Sequence, residues 1–80
     1  MASREWEVRS AADLGRTIAD VRHLRGLSQE QLAESTGVDR TYLAKLEAGA
    51  SALLVERALR ILRRMGATVT VQVDASSPAE

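Results

Sequence analysis

Residues 28 to 47 read as two short helices joined by Thr36-Gly37-Val38-Asp39, and this arrangement constrains the fold more than any other feature of the chain. Ser28 followed three residues later by Gln31 is a capping box, and Leu27 stands at the hydrophobic-staple position. Gly37 stops the first helix, because glycine tolerates the positive φ that such an ending needs. Asp39 is a good N-cap for the second, Arg40 to Ala48, whose apolar positions are Leu43 and Leu46. Leu32, Ala33, Gly37, Val38, Leu43 and Leu46 fall where two helices crossing at a steep angle must pack. Ala33 is small because the helices approach closely there, and Val38, Leu43 and Leu46 fill the space beneath the turn.

The rest of the chain frames this pair. Leu14, Ile18, Val21 and Leu24 recur at three- and four-residue steps and predict a helix that Gly26 closes. Beyond Gly49, the small-residue loop Ala50-Ser51-Ala52 leads into the most amphipathic segment. There Leu54, Val55, Ala58, Leu59, Ile61, Leu62 and Met65 make one face, and Glu56, Arg57, Arg60, Arg63 and Arg64 make the other. At Gly66 the period changes to two. Val69, Val71 and Val73 alternate with Thr68, Thr70 and Gln72, a β-strand pattern, and Trp6-Glu7-Val8 is a shorter candidate strand. The expected architecture is mainly α, with four to five helices. It divides into an N-terminal arm (1–11), a helical domain (12–66), a strand (67–74) and a disordered tail (75–80).

Composition narrows the function. Eighty residues allow one domain, and a chain of that length buries only roughly 60 % of its unfolded surface. It needs a staple or a partner. With no cysteine and a single histidine, His23, neither a disulfide nor a zinc site is available, which leaves oligomerisation. No cluster of catalytic side chains, glycine-rich phosphate loop or metal spacing is present, so neither catalysis nor a cofactor is expected. The lack of an N-terminal apolar run, or of any apolar stretch near ~20 residues, predicts a soluble cytoplasmic chain with no membrane partner. Eleven basic residues balance eleven acidic ones, yet residues 22–64 hold eight Lys plus Arg against five Asp plus Glu. The neutral total conceals a modestly basic centre, and a local patch is all that nucleic-acid binding requires.

Two helices crossing as described form a helix-turn-helix, whose second helix enters the DNA major groove. Arg22, the run Arg25-Gly26-Leu27-Ser28-Gln29-Glu30-Gln31-Leu32-Ala33, then Gly37-Val38 and Leu43-Ala44-Lys45-Leu46-Glu47-Ala48-Gly49 resemble the Cro/CI, or XRE-type, DNA-binding domain over residues 13 to 66. The strand after Leu62-Arg63-Arg64-Met65-Gly66 is similar to the HipB branch of that family. The resemblance implies a lambda-repressor-like fold and a sequence-specific transcriptional repressor of double-stranded DNA. For the HipB branch it further implies an antitoxin that dimerises through its C-terminal strand, represses its own operon and binds a toxin, a HipA-like kinase being the best match. Stand-alone XRE-type regulators share the helical core. A mainly protein-binding module with incidental DNA affinity is the rival from another class. Many relatives carry a basic residue and a proline after the position of Gly49. Ala50 and Ser51 stand here instead, so the phosphate contact usual at that loop is absent or passes to main-chain amides.

Carried onto this chain, the family's base-reading positions are Arg40, Thr41, Ala44 and Lys45. The Arg40 fork suits guanine, Thr41 a thymine methyl or base edge, and Lys45 guanine or a phosphate. Gln29 resembles the family's phosphate anchor, since the amides and dipole at that helix end suit an anion, and Ser28 and Tyr42 are the further phosphate candidates. Ser28 also reads as a plain cap, and the Tyr42 ring is equally placed to pack over the preceding helix. Arg22 and Glu47 match a structural ion pair tying the first helix to the end of the third. His23 reads as a surface residue. The arginines of the fourth helix read as a solvated face, with an acidic partner or flanking phosphates as the sharper alternative. The strand Thr68, Val69, Thr70, Val71, Gln72 and Val73 cannot satisfy its own backbone groups and must pair. It has Trp6 to Val8, its own copy across a two-fold axis, or both at once.

Overall fold

Capping side chains and glycines set the element boundaries in the computed structural model, which describes residues 3–50 and 52–74. The order is β1 (Ser3–Val8), α1 (Ala11–Leu24), α2 (Gln29–Thr36), α3 (Arg40–Glu47), α4 (Leu53–Arg64) and β2 (Val69–Asp74). The tail expected to be disordered, 75–80, and Ser51 of the loop lie outside the described residues. The fold is mainly helical, with the four helices and the strand that the spacing predicts.

α1 begins three residues before Leu14, the first residue of the apolar row that predicts it. Ser10 is extended and its hydroxyl accepts from the Asp13 amide at 3.0 Å, while the Ala11 amide donates to Glu56 Oε2 of α4, also at 3.0 Å. Two of the orphan amides of the first turn are thereby satisfied, one of them from a distant helix. α2 carries the full capping box: the Gln31 amide donates to Ser28 Oγ at 3.0 Å and the Ser28 amide donates to Gln31 Oε1 at 2.8 Å. Gly37 follows at φ 77° and returns its N–H to the Ala33 carbonyl. Ser28→Ala removes one arm of the box and is expected to cost about 1 kcal/mol. Urea melts of the two proteins check this, and an unchanged midpoint would show the cap to be idle. Asp39 holds the N-cap position of α3 but makes no capping hydrogen bond. Its backbone, at φ −59° and ψ 133°, departs from the extended geometry that Ser10 and Ser28 use.

The strands pair with each other. β1 and β2 run antiparallel with Val8 opposite Val69, Trp6 opposite Val71 and Arg4 opposite Val73. The pairing within the chain is thus formed, and β1 extends well beyond the Trp6–Val8 core of the expected strand. Val69, Val71 and Val73 are half-buried while Thr70, Gln72 and Asp74 are exposed, as the alternation requires. The Trp6 indole N–H donates to Asp20 at 3.1 Å, and the Arg4 guanidinium sits 5.0 Å from the ring centre. The Trp6–Asp20 bond pins the sheet to α1.

Val8, Ala11, Ala33, Leu43 and Leu59 are the buried apolar residues among those described. Thr17 is buried with them, its hydroxyl donating to the Asp13 carbonyl at 2.8 Å. α1 crosses α3 at Gly15, which lies against the Leu46 carbonyl with no room for a side chain. No helix among the described residues is long and apolar enough to cross a membrane.

Candidate nucleic-acid interface

The orientation of α3 follows from one anchor. Leu43 is only 4 % exposed, Ala33 of α2 is buried as well, and α2 and α3 pack against each other, so Leu43 marks the inward side of α3. At about 100° per residue, Thr41 and Lys45 lie on the side of α3 opposite Leu43, Ala44 and Tyr42 lie on its two flanks, and Arg40 stands in the first turn on the Ala44 flank. Arg40, Thr41, Tyr42 and Lys45 are exposed and Ala44 is half-buried. Of the four expected base-reading residues, Thr41 and Lys45 therefore look away from the core, with Ala44 and the exposed Arg40 on one flank of them. Among the described residues, the side chains of Arg40, Thr41, Tyr42 and Lys45 make no hydrogen bond or ion pair. Two cations and two hydroxyls thus stand ready for an external partner. Tyr42 is 58 % exposed.

Behind this surface lies a cluster that fixes the end of α3. Arg22 donates from Nε to Glu47 Oε2 at 2.8 Å and from Nη2 to Glu47 Oε1 at 2.9 Å, and from Nη1 to the Leu27 carbonyl at 2.8 Å. The two side chains are 9 % and 6 % exposed, so the bidentate pair is withdrawn from water. Hydrogen bonding to Arg22 holds the Glu47 carboxyl below the usual carboxylate range, and its donation to Glu47 raises the Arg22 guanidinium in turn. α1, the α2 entry and the α3 exit are locked together by this one guanidinium.

Gln29 belongs to the same cluster. Its Nε2 donates to Glu47 Oε1 at 3.0 Å, which turns the side chain inward from the start of α2. A phosphate there would meet the main-chain N–H and the remaining amide hydrogen. Ser28 has its hydroxyl in the capping box, so its cap role is the one realised in the free chain. The Ala50 amide donates to the Lys45 carbonyl at 3.0 Å and closes the α3 end, so it is not a spare main-chain donor for the loop. On α4, Arg57, Arg60, Arg63 and Arg64 are all exposed, and Arg63 donates to the Arg9 carbonyl in the link between β1 and α1. His23 is exposed.

Sequence reasoning passed over Gly15, the residue that lets α3 sit where it does. The available signal was a glycine inside an otherwise regular helix, where it costs about 1 kcal/mol relative to alanine and so needs a reason. Glu56, which caps α1 from α4, was read only as part of a polar face.

The sequence pattern of the helix-turn-helix family matches residues 18–71. The uncharacterized HTH-type transcriptional regulator y4mF of Sinorhizobium fredii is 28 % identical over 64 residues, which span 80 % of this chain and 84 % of that protein. No solved structure matches the chain.

Proposed function

The chain belongs to the helix-turn-helix family, and from that premise we propose that it is a sequence-specific DNA-binding transcriptional repressor whose α3 reads the major groove. The observation that carries the reading is the outer face of α3: Arg40, Thr41 and Lys45 exposed and unpartnered among the described residues, on a helix locked from behind. Phosphate contacts supply most of the affinity and its salt dependence, and base contacts supply the discrimination. The small Ala44 side chain lets the helix backbone come close to the groove floor. Repression then needs only occupancy of a promoter, with no catalytic step.

A homodimer completes the mechanism, since two recognition helices related by a two-fold axis meet the half-sites of an inverted repeat about 34 Å, or a multiple, apart. Pairing of Thr68 to Val73 with its copy remains open to β2, because β1 covers one edge of that strand and a strand has two. An antitoxin role, with a toxin such as a HipA-like kinase as protein partner, rests on the resemblance of the strand after α4 to the HipB branch. Co-purification with the product of the adjacent gene tests that role, and an adjacent gene with no toxic product removes it.

A gel-retardation titration with the DNA upstream of the chain's own gene tests the repressor reading. Retardation that survives random competitor and weakens steeply between about 50 and 200 mM salt is the expected result. Equal affinity for upstream and random duplex would overturn it. Arg40→Ala is expected to relax preference at one base position at a cost of ~1–3 kcal/mol. Uniform weakening on both duplexes would make Arg40 a phosphate contact instead.

A further inference from the structure

The apolar face of α4 is wider than the domain that covers it. Val55, Leu59 and Leu62 form the inner row, half-buried or buried. Beside them Leu54, Ala58, Ile61 and Met65 form a second row that the fold leaves outside, with Leu54 82 %, Ile61 60 % and Met65 69 % exposed. Steps of four, three and four residues along this row are the spacing of a seam between two helices. We propose that this row is an interface between two copies of the chain, with α4 crossing α4 of the second copy on a two-fold axis near Ala58 and Ile61. The proposal rests on the homodimer reading above and assigns its main contact to α4 in place of the β2 edge.

Three observations favour a second copy. The first is the thin core: five apolar residues are buried among those described, and no side chain falls below 2 % exposure. A domain of this size is marginal alone, and a partner that buries four more apolar side chains per chain supplies what is missing. The second is area. A stable interface takes about 800 Å² and roughly 20–30 residues from each partner, and the six residues of β2 are too few to supply it, so a broader surface is needed. The third is the shape of the row, with Ala58 near its middle, where the smallest side chain lets two backbones come close.

Charge sets the crossing. Arg57 and Arg64 line one flank of the row and Arg60 lies beyond them, so helices laid side by side along their length would bring like charges together. A steep crossing leaves the guanidinium groups in water on their long stems. Glu56 does not offset them, being engaged by the Ala11 amide. DNA is a poor occupant, because phosphates do not cover leucine, isoleucine and methionine.

Sedimentation equilibrium of the full chain is expected to give a dimer, with a Tm that rises with protein concentration. Leu54→Glu combined with Ile61→Glu alters exposed positions and is expected to raise the dimer dissociation constant roughly a hundredfold or more, with helical circular dichroism retained. Ala58→Cys, in a chain with no other cysteine, is expected to form a disulfide-linked dimer under mild oxidation. A double variant that sediments like the wild type, or an Ala58→Cys chain that stays monomeric, overturns the proposal. If the double variant unfolds, the wild-type Tm decides, and independence from concentration overturns the pairing. A monomeric wild type that still retards DNA overturns the α4 interface and the homodimer with it, and leaves the DNA-binding reading standing. A dimer without DNA affinity overturns the repressor reading and leaves the interface standing.

Discussion

Gly15→Ala is expected to lower stability by more than about 3 kcal/mol, although the same exchange inside an ordinary helix raises it by about 1. The sign reverses because of what the new methyl would meet. A Cβ at residue 15 would lie 1.9 Å from the Leu46 carbonyl oxygen and 3.0 Å from its carbon, and both are main-chain atoms that cannot rotate aside. α1 and α3 would have to separate, which also pulls the Arg22–Glu47 pair apart. For a domain of this size the loss corresponds to a fall in Tm of roughly 12 °C or more, read by thermal circular dichroism. A Gly15→Ala protein that melts at or above the wild type would show that the two helices do not cross there. Because α3 is placed by this crossing, the variant is also expected to lose DNA affinity without any change on the α3 outer face.

Arg22→Ala is the second large effect, expected at about 3–5 kcal/mol near pH 7, because it strands the Glu47 carboxylate away from water with only Gln29 as donor. Its pH dependence separates this cause from a loss of packing. In the wild type the Glu47 carboxyl titrates below its ordinary value, so the pair's contribution is present above about pH 4.3 and is lost as pH falls through the lower folded value. In the variant the Arg22 hydrogen bonds, the largest cause of the lowering, are gone, only the Gln29 bond still acts that way, and burial acts in the other direction, so protonation relieves the stranded charge. The stability gap between the two proteins is therefore expected to narrow as pH falls from 7 toward about 3.5. Urea melts across that range measure it. A gap that stays constant, or a cost under about 1 kcal/mol at pH 7, would mean a pair as weak as one in full solvent.

Local chemistry made much of this fold legible before any coordinates. The capping box at Ser28 and Gln31, the turn at Gly37 and the valine alternation in β2 are decided within a few residues, so their spacing reveals them. The Arg22–Glu47 pair was legible through the resemblance, because the two residues are far apart in sequence. What escaped depends on distant contacts. Arg4 and Glu5 give no strand signal, and they are extended because β2 and the Trp6–Asp20 bond hold them so. The start of α1 at Ala11 depends on Glu56 from the fourth helix. Periodicity shows that α4 has a broad apolar face, but only the packing shows which half of it the domain covers.

The candidate site divides in the same way. The outer face of α3 could be read as soon as Leu43 was taken as the inward residue, since the helical period then fixes Thr41, Ala44 and Lys45. The inward turn of Gln29 could not, because Glu47 becomes its partner only after α3 has docked. Asp39 shows the limit from the other side: its residue type and position both favour a cap, and the bond is not made.

The most direct test of the central claim follows backbone amide chemical shifts while the chain is titrated with duplex DNA from upstream of its gene. The expected result is a set of changes centred on Arg40, Thr41, Ala44 and Lys45 and on the start of α2 at Gln29, with β1 and β2 unmoved. Shifts that leave α3 untouched, or that gather instead on Arg57, Arg60 and Arg64 of α4, would contradict it.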